Sequence, residues 1–286
     1  MIEIKRQSLS ETFSIYFDKR MLKILLLGSI SGFPWVLIGS SLSLWLKEDG
    51  LSRSTIGWAG LIFGVYAFNY LWAPLVDRIQ IPFLTKKIGH RKGWIVLMQI
   101  SILISLILWS IVNPSENLAL IITIGLIIAI ASATQDITVD ALRIEQIGEH
   151  EGKSMAAGAA MAVVGWWSGY KLGGVLSLFS AEYLQQAGFE NYWQLTFLIL
   201  GILIILMNIA LMFVDEVDSS ERRNIQKVND KLISNKFKKE NIFTKFIIWI
   251  SGTIGGPIIS FLKNNGFSIA VGILSFIFLF KVGEAF

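Results

Sequence analysis

The run Ser132-Ala133-Thr134-Gln135-Asp136-Ile137-Thr138-Val139-Asp140-Ala141-Leu142 carries the two acids with the most chemical potential. Asp136 and Asp140 are four apart, so on a helix both carboxylates share one face, about 6 Å apart along the axis. Like charges in that arrangement repel, and a helix C-terminus disfavours anions. A structural role therefore requires compensating partners, one of which Arg143 could supply to Asp140. The alternative is a proton- or substrate-coupling pair, with Gln135 beside it, facing an aqueous cavity, because intramembrane carboxylates are costly and mark a pathway.

A second set is Lys171, Lys281 and Glu284. Lys171 falls about 16 residues, or about 24 Å, into its helix, while Lys281 and Glu284 fall about 22 and 27 Å into theirs. These three can meet, whereas Asp136, read as lying near the opposite end of its span, is too distant in depth to pair with Lys171. Lys281 and Glu284 are three apart, so a private ion pair and a substrate-anion or coupling role both stand. Asp77-Arg78 ends one apolar run and Gly89-His90-Arg91-Lys92-Gly93-Trp94 opens the next, a pattern of helix capping and topology. Ser31-Gly32-Phe33-Pro34 joins a small residue to a helix breaker, where a kink or gate can form. Trp166 and Trp167 are packing or cavity-wall aromatics.

No metal or cofactor is called for. The chain has no cysteine, and its two histidines, His90 and His150, lie in separate polar connections. No phosphate loop, triad or nucleophile–base constellation is present, which argues against an intramembrane enzyme.

What positions these residues is a membrane. Of 286 residues, 53% are hydrophobic and only 16% charged, and the mean hydropathy is +0.61. Uncharged runs at 24–46, 54–76, 93–115 and 191–214 each exceed the roughly 20 residues that span a bilayer. A fourth span in chain order runs from Asn117 through Asp136 and Asp140, and a fifth runs from Ser154 to Ala181 as one helix with a buried Lys171. The reading is all-α and polytopic, with the lipid bilayer as its first partner. The net charge of +4 belongs to loops rather than to nucleic-acid binding. Lys5, Arg6, Lys19, Arg20 and Lys23, then Arg78, Lys86, Lys87, Arg91 and Lys92, then the linker after Asp215 including Lys227, alternate with cation-poor connections. The N-terminus is accordingly expected in the cytoplasm. The division is a cytoplasmic segment 1–21, a six-helix bundle 22–214, a cytoplasmic linker 215–265 and the start of a seventh helix at 266–286. Within the linker, 246–262 is broken by Gly252, Gly255, Gly256 and Pro257 and reads as interfacial, with a true crossing as the alternative.

These residues resemble the AmpG-like muropeptide permeases, a branch of the major facilitator superfamily related to acetyl-CoA transporters. The likeness rests on Ser31 to Pro34, Trp72 to Arg78 with Pro82-Phe83, Gly89 to Trp94, Ser132 to Ala141, and Lys281 to Phe286. It implies two six-helix bundles, alternating access, and proton-driven import of a muropeptide-like small molecule across the inner membrane, in peptidoglycan recycling and beta-lactamase induction. Asp136, Asp140 and Gln135 would then serve coupling. Gly32, Pro34, Asp77, Arg78 and Arg91 would serve gating, and Lys171, Lys281 and Glu284 the substrate or a charge pair. His90 replaces the family's usual arginine and Glu284 its frequent aspartate. The chain stops within the seventh helix, so a C-terminal half is expected as a missing partner. A non-transporting membrane or signalling partner, or a permease for another anion such as acetyl-CoA, remains the alternative.

Overall fold

The computed structural model describes residues 14–147, 151–216, 218, 224–225, 228, 231–232 and 249–285. Lys5, His150, Lys227 and the first three residues of 246–262 lie outside the described residues, as do the side chains of Lys281 and Glu284. Every helix or strand element among the described residues is helical. They are α1 (Lys19–Glu48), α2 (53–78, in short pieces), α3 (Leu84–Ile88), α4 (His90–Trp109), α5 (Pro114–Glu145), α6 (Gly152–Gln186), α7 (Tyr192–Leu211), α8 (Gly256–Asn265) and α9 (Phe267–Ala285).

Local chemistry sets the boundaries. The Asp18 carboxylate accepts the Arg20 backbone N–H at 2.8 Å and opens α1. Ser52 does the same for Thr55 at the head of α2. Pro114 occupies the first turn of α5, where its missing N–H costs nothing.

Four helices, α1, α4, α5 and α7, are long and apolar enough to cross a membrane. The other two expected spans differ from the uncharged-run count. The run 54–76 folds as Arg53–Ala59, Gly60–Gly64, Val65–Phe68, Asn69–Leu71 and Ala73–Arg78, with two 3-10 stretches. Gly57, Gly60, Gly64 and Pro74 weaken its regular hydrogen-bond ladder. In α6, glycine, serine, tryptophan and Lys171 dilute the aliphatics.

Those glycines have a use. The α1–α6 seam is the most extensive helix pairing among the described residues. A Cβ on Gly28 would strike the Ala162 carbonyl, on Gly32 the Trp166 carbonyl, on Gly165 the Leu25 carbonyl and on Gly169 the Ser29 carbonyl. Backbone meets backbone there, as close packing in lipid requires when no hydrophobic force drives helices together. The core elsewhere is aromatic and aliphatic, with Phe197 4.9 Å from Trp45 and 5.1 Å from Trp109 between ring centres. The periphery is apolar: Phe179, Ile202, Leu206 and Ile209 are exposed, a surface that needs lipid around it.

The chain is gathered at two ends. Arg20 bonds Glu151, Lys23 pairs with Asp215, and Arg91 reaches Asp77 and Glu145. This basic end collects the starts of α1, α4 and α6 and the ends of α2, α5 and α7. At the opposite, acidic end the Glu48 carboxylate accepts Tyr192 Oη–H at 2.8 Å and Trp193 Nε1–H at 2.6 Å. Beyond the bundle, Ser251–Gly255 packs on Ala73–Arg78, Trp249 lies under the Arg78 guanidinium at 5.6 Å, and α9 rests on residues 60–68 of α2. The two segments Ile259–Asn265 and Phe267–Phe280 meet at a bend of 114°.

Candidate functional site

The break in α1 and the polar stretch of α5 fit one another. Pro34 has no N–H, so the Ile30 carbonyl four residues earlier loses its helical donor. Gln135, fully buried, donates Nε2–H to that carbonyl at 2.8 Å. One residue on, Ser31 Oγ–H donates to Asp136 Oδ1 at 2.5 Å, and Trp72 Nε1–H donates to Thr134 Oγ1 at 3.0 Å. The Ser31-Gly32-Phe33-Pro34 motif and the Gln135-Asp136 motif are therefore one device, since the first frees a carbonyl and the second occupies it. Gln135 Oε1 is buried without a hydrogen-bond partner, and the buried hydroxyls of Tyr66 and Ser132 lie beside one another without closing a well-formed hydrogen bond, in the field of Asp136. Buried polar groups of this kind favour arrival of a polar guest.

Two expectations about depth and burial are corrected. Asp136 is not near the end of its helix: α5 runs nine residues further, to Glu145, about 14 Å at ~1.5 Å per residue. Gly169 lies against Ser29 and Gly173 against Phe33, so Lys171 between them stands at the level of Ser31, which is also the level of Asp136. The two share a depth. On sequence alone both carboxylates are embedded near the end of the span, whereas the helix continues past an exposed Asp140, which bonds Arg143 at 3.2 Å, to Glu145. Lys171 is exposed rather than buried. Its ammonium stands over the rings of Trp167 and Tyr170 at 5.5 and 5.4 Å, an arrangement that offsets lost hydration with ring quadrupoles.

An aromatic wall flanks this level. Trp35 packs 4.5 Å from Tyr66, 5.0 Å from Phe63 and 5.4 Å from Trp166, and Trp166 stacks on Tyr170 at 5.6 Å. Tyr66 is buried, while Trp35, Phe63, Trp166 and Tyr170 are half-buried and retain accessible surface. The arrangement offers aromatic faces to a ring-bearing solute and a buried acceptor, Gln135 Oε1, to its hydroxyls. The side chains of Lys281 and Glu284 lie outside the described residues. Their helix meets α2 through Phe278 and Phe68 at 5.9 Å.

The second cluster, at the basic end, was legible only in part. Arg91, 4% exposed, donates Nη1–H to Asp77 at 2.5 Å and Nη2–H to Glu145 at 2.8 Å. Glu216 accepts the backbone N–H groups of Arg91 and Lys92 at 2.8 and 3.1 Å, and Lys92 Nζ–H donates to the Val214 carbonyl at 2.8 Å. The N-terminus of α4 thus receives a carboxylate and the chain leaving α7 receives an ammonium, each end matching its dipole. Gly89, at φ 98°, leaves the space that the Glu216 side chain fills. Burial holds the Glu216 carboxyl above its ordinary pKa, against the pull of those N–H donors. Glu145 and Glu216 were missed by motif reading because each is a lone glutamate outside any pattern.

Broken helices around a polar level, parallel helices on a glycine seam and a charge-knotted end describe a polytopic helical membrane protein. Residues 24–285 match the family model of the Major Facilitator Superfamily, and the chain belongs to that family. Within it the chain is AmpG-like. It is 34% identical over 271 residues to AmpG 4 of Rickettsia felis, covering 95% of this chain and 58% of that one. To the anhydromuropeptide permease of Escherichia coli K12 it is 32% identical over 196 residues, 68% of this chain and 38% of that one. To AmpG 1 of Rickettsia conorii it is 30% identical over 225 residues, 79% and 52% of the two chains. The chain spans 58%, 38% and 52% of the lengths of these three curated relatives. No solved structure matches it.

Proposed function

We propose that these residues form the first half of a bacterial inner-membrane permease that imports a muropeptide-like solute with protons, the N-terminus and basic end lying in the cytoplasm. The observation that carries this is the mid-depth coincidence of Asp136 and Ser31 with the aromatic wall of Trp35, Tyr66, Trp166 and Tyr170. Sugar rings stack on such faces, and a carboxylate at that level, accepting a hydrogen bond from Ser31, can bind and release a proton as the cavity changes access. The name of the Escherichia coli relative supports the solute class. Service in peptidoglycan recycling and beta-lactamase induction follows from that class.

In this reading 22–214 is the bundle, 215–265 the linker and 266–286 part of the seventh span. The Trp249–Arg78 contact and the 114° bend support an interfacial 246–262. Asp77, Arg78 and Arg91 gate at the basic end, Gly32 and Pro34 shape the break in α1, Lys171 meets the solute's anionic groups, Asp140 assists Asp136, and Lys281 and Glu284 act as a charge pair.

The test is uptake of labelled anhydromuropeptide by cells carrying the intact gene. Import that tracks external acidity supports the reading, and no import over an empty-vector control sinks it. Orientation has its own measurement, made clean by the absence of cysteine. A cysteine at Asn117 or Gln185 is expected to react with impermeant maleimide in intact cells and one at Lys86 to be protected. The reverse pattern would overturn the orientation.

A further inference from the structure

The acidic end of the bundle holds a feature that the mid-depth reading leaves unused. Ser40, Ser43, Leu44 and Lys47 of α1, with Arg53 and Ile56 of α2, line a recess of about 360 Å³. Lys47 and Arg53 are the only lysine or arginine in the three connections at that end, 47–53, 110–117 and 186–191. Cations placed on that side run against the bias that sets membrane topology. Neither makes an ion pair with a described residue. The nearby carboxylate of Glu48 is committed to Tyr192 and Trp193. Ser43 Oγ–H has no acceptor among the described residues, while Ser40 leans back on the Val36 carbonyl at 3.4 Å.

The recess is connected to the aromatic wall by the helix itself. Leu37–Ser41 is a π turn within α1, fixed to α6 through a Ser41 to Ser177 hydroxyl bond of 2.7 Å. Its wider winding keeps residues 35, 39, 43 and 47, spaced by four, along one face. Trp35 packs on Phe63, a Cβ at Gly39 would touch the Phe63 ring, and Ser43 and Lys47 continue the line to the recess. Ring-binding surface lies at one end of this stripe and unpaired cations at the other.

We propose that the recess of Ser40, Ser43, Lys47 and Arg53 is an entry subsite that captures the carboxylates of an acidic glycopeptide before its sugar reaches the aromatic wall. This rests on the import reading. The chemistry is charge-assisted hydrogen bonding to carboxylate, with the Arg53 fork and the Lys47 ammonium as donors, and with Leu44 and Ile56 against the solute's apolar parts.

The full chain in nanodiscs of phosphatidylcholine alone, which offers no anionic lipid to compete, is titrated with N-acetylmuramoyl-L-alanyl-D-glutamate and with the same compound amidated at both carboxylates. The acid is expected to bind about tenfold more tightly than the diamide, with a preference that fades in high salt. The double variant Lys47→Gln with Arg53→Gln is expected to bind both equally, and the charge-keeping pair Lys47→Arg with Arg53→Lys to retain the preference, which guards against a folding artefact. Equal binding of acid and diamide by the parent, or an undiminished preference in the neutral variant, overturns the subsite and leaves the import reading standing. Failure of the parent to bind either compound also overturns the subsite, whereas the import reading falls only if the intact gene gives no uptake.

Discussion

The polar clusters at the basic end and at mid-depth are built from the same side chains and reach opposite conditions. At the basic end Arg91 is shared by two carboxylates, Glu216 by two backbone N–H groups, and Lys92 by the carbonyls of Met212 and Val214. At mid-depth Gln135 meets the Ile30 carbonyl with its amide nitrogen while its oxygen lacks a partner and the Tyr66 and Ser132 hydroxyls close no well-formed hydrogen bond. A saturated network holds one geometry because each member is costly to expose. An unsaturated one gains from a guest or a rearrangement. The first is suited to fastening helix ends, the second to work that requires change.

That contrast can be broken in order of effect. Arg91→Ala removes the buried guanidinium that joins Asp77 to Glu145 at the basic end, and purified protein is expected to lose about 3–5 kcal/mol in detergent unfolding. Arg91→Lys should recover less than half of this, since one ammonium cannot fork between two carboxylates. A loss below about 1 kcal/mol, the range of exposed pairs, would remove the distinction between the clusters.

Asp136→Asn keeps shape and hydrogen bonding, so its stability should stay within about 1 kcal/mol of the parent, while uptake by the intact transporter falls at least about tenfold. Asp140→Asn, exposed beside Arg143, should retain much of the activity. Parental uptake and parental pH dependence in both variants would make mid-depth as structural as the basic end.

Gln135→Met abandons the Ile30 carbonyl and should cost about 1–2 kcal/mol. In a Pro34→Ala background residue 34 regains its N–H, and the same change should then cost roughly 0.5 kcal/mol or less. Equal costs in the two backgrounds would show that Pro34 and Gln135 act independently.

The smallest effect is acid-linked. Because burial raises the Glu216 pKa above 4.5, the folded protein binds this proton more readily than the unfolded chain does. Its contribution to stability is therefore largest at low pH and declines as pH rises from 4.5 to the raised folded pKa. Glu216→Gln should remove that slope, a change under about 1 kcal/mol seen as a flatter melting profile. A slope of opposite sign in the parent would contradict the burial argument.

Much of this was legible in the chain. Uncharged runs match α1, α4 and α7, the proline in α1 marks an interruption of its hydrogen-bond ladder, and Arg143 is the partner that Asp140 needs. What escaped was everything fixed by packing between distant segments. The partnership of Gln135 with Ile30 joins residues 105 apart, and no local pattern encodes it. Two acids four residues apart place Asp136 near the end of its span on sequence alone, although a helix can carry a carboxylate inward when a neighbouring hydroxyl donates to it. Lys171 was read as buried because it interrupts an apolar run. Yet a residue's neighbours in sequence do not reveal which helix face meets Gly28 and Gly32 and which looks outward.

The freed carbonyl of Ile30 also has a history in time. A ribosome adding roughly 5–20 residues per second takes about 5–20 s to travel from Ile30 to Gln135. During that interval the first helix is complete in length and lacks a donor for one peptide oxygen, a costly state in hydrocarbon. Early α1 must therefore linger near water or borrow a partner from the insertion machinery. The arrival of α5 ends the wait, so that a later helix completes the first, and the bundle cannot settle in the order in which it is made.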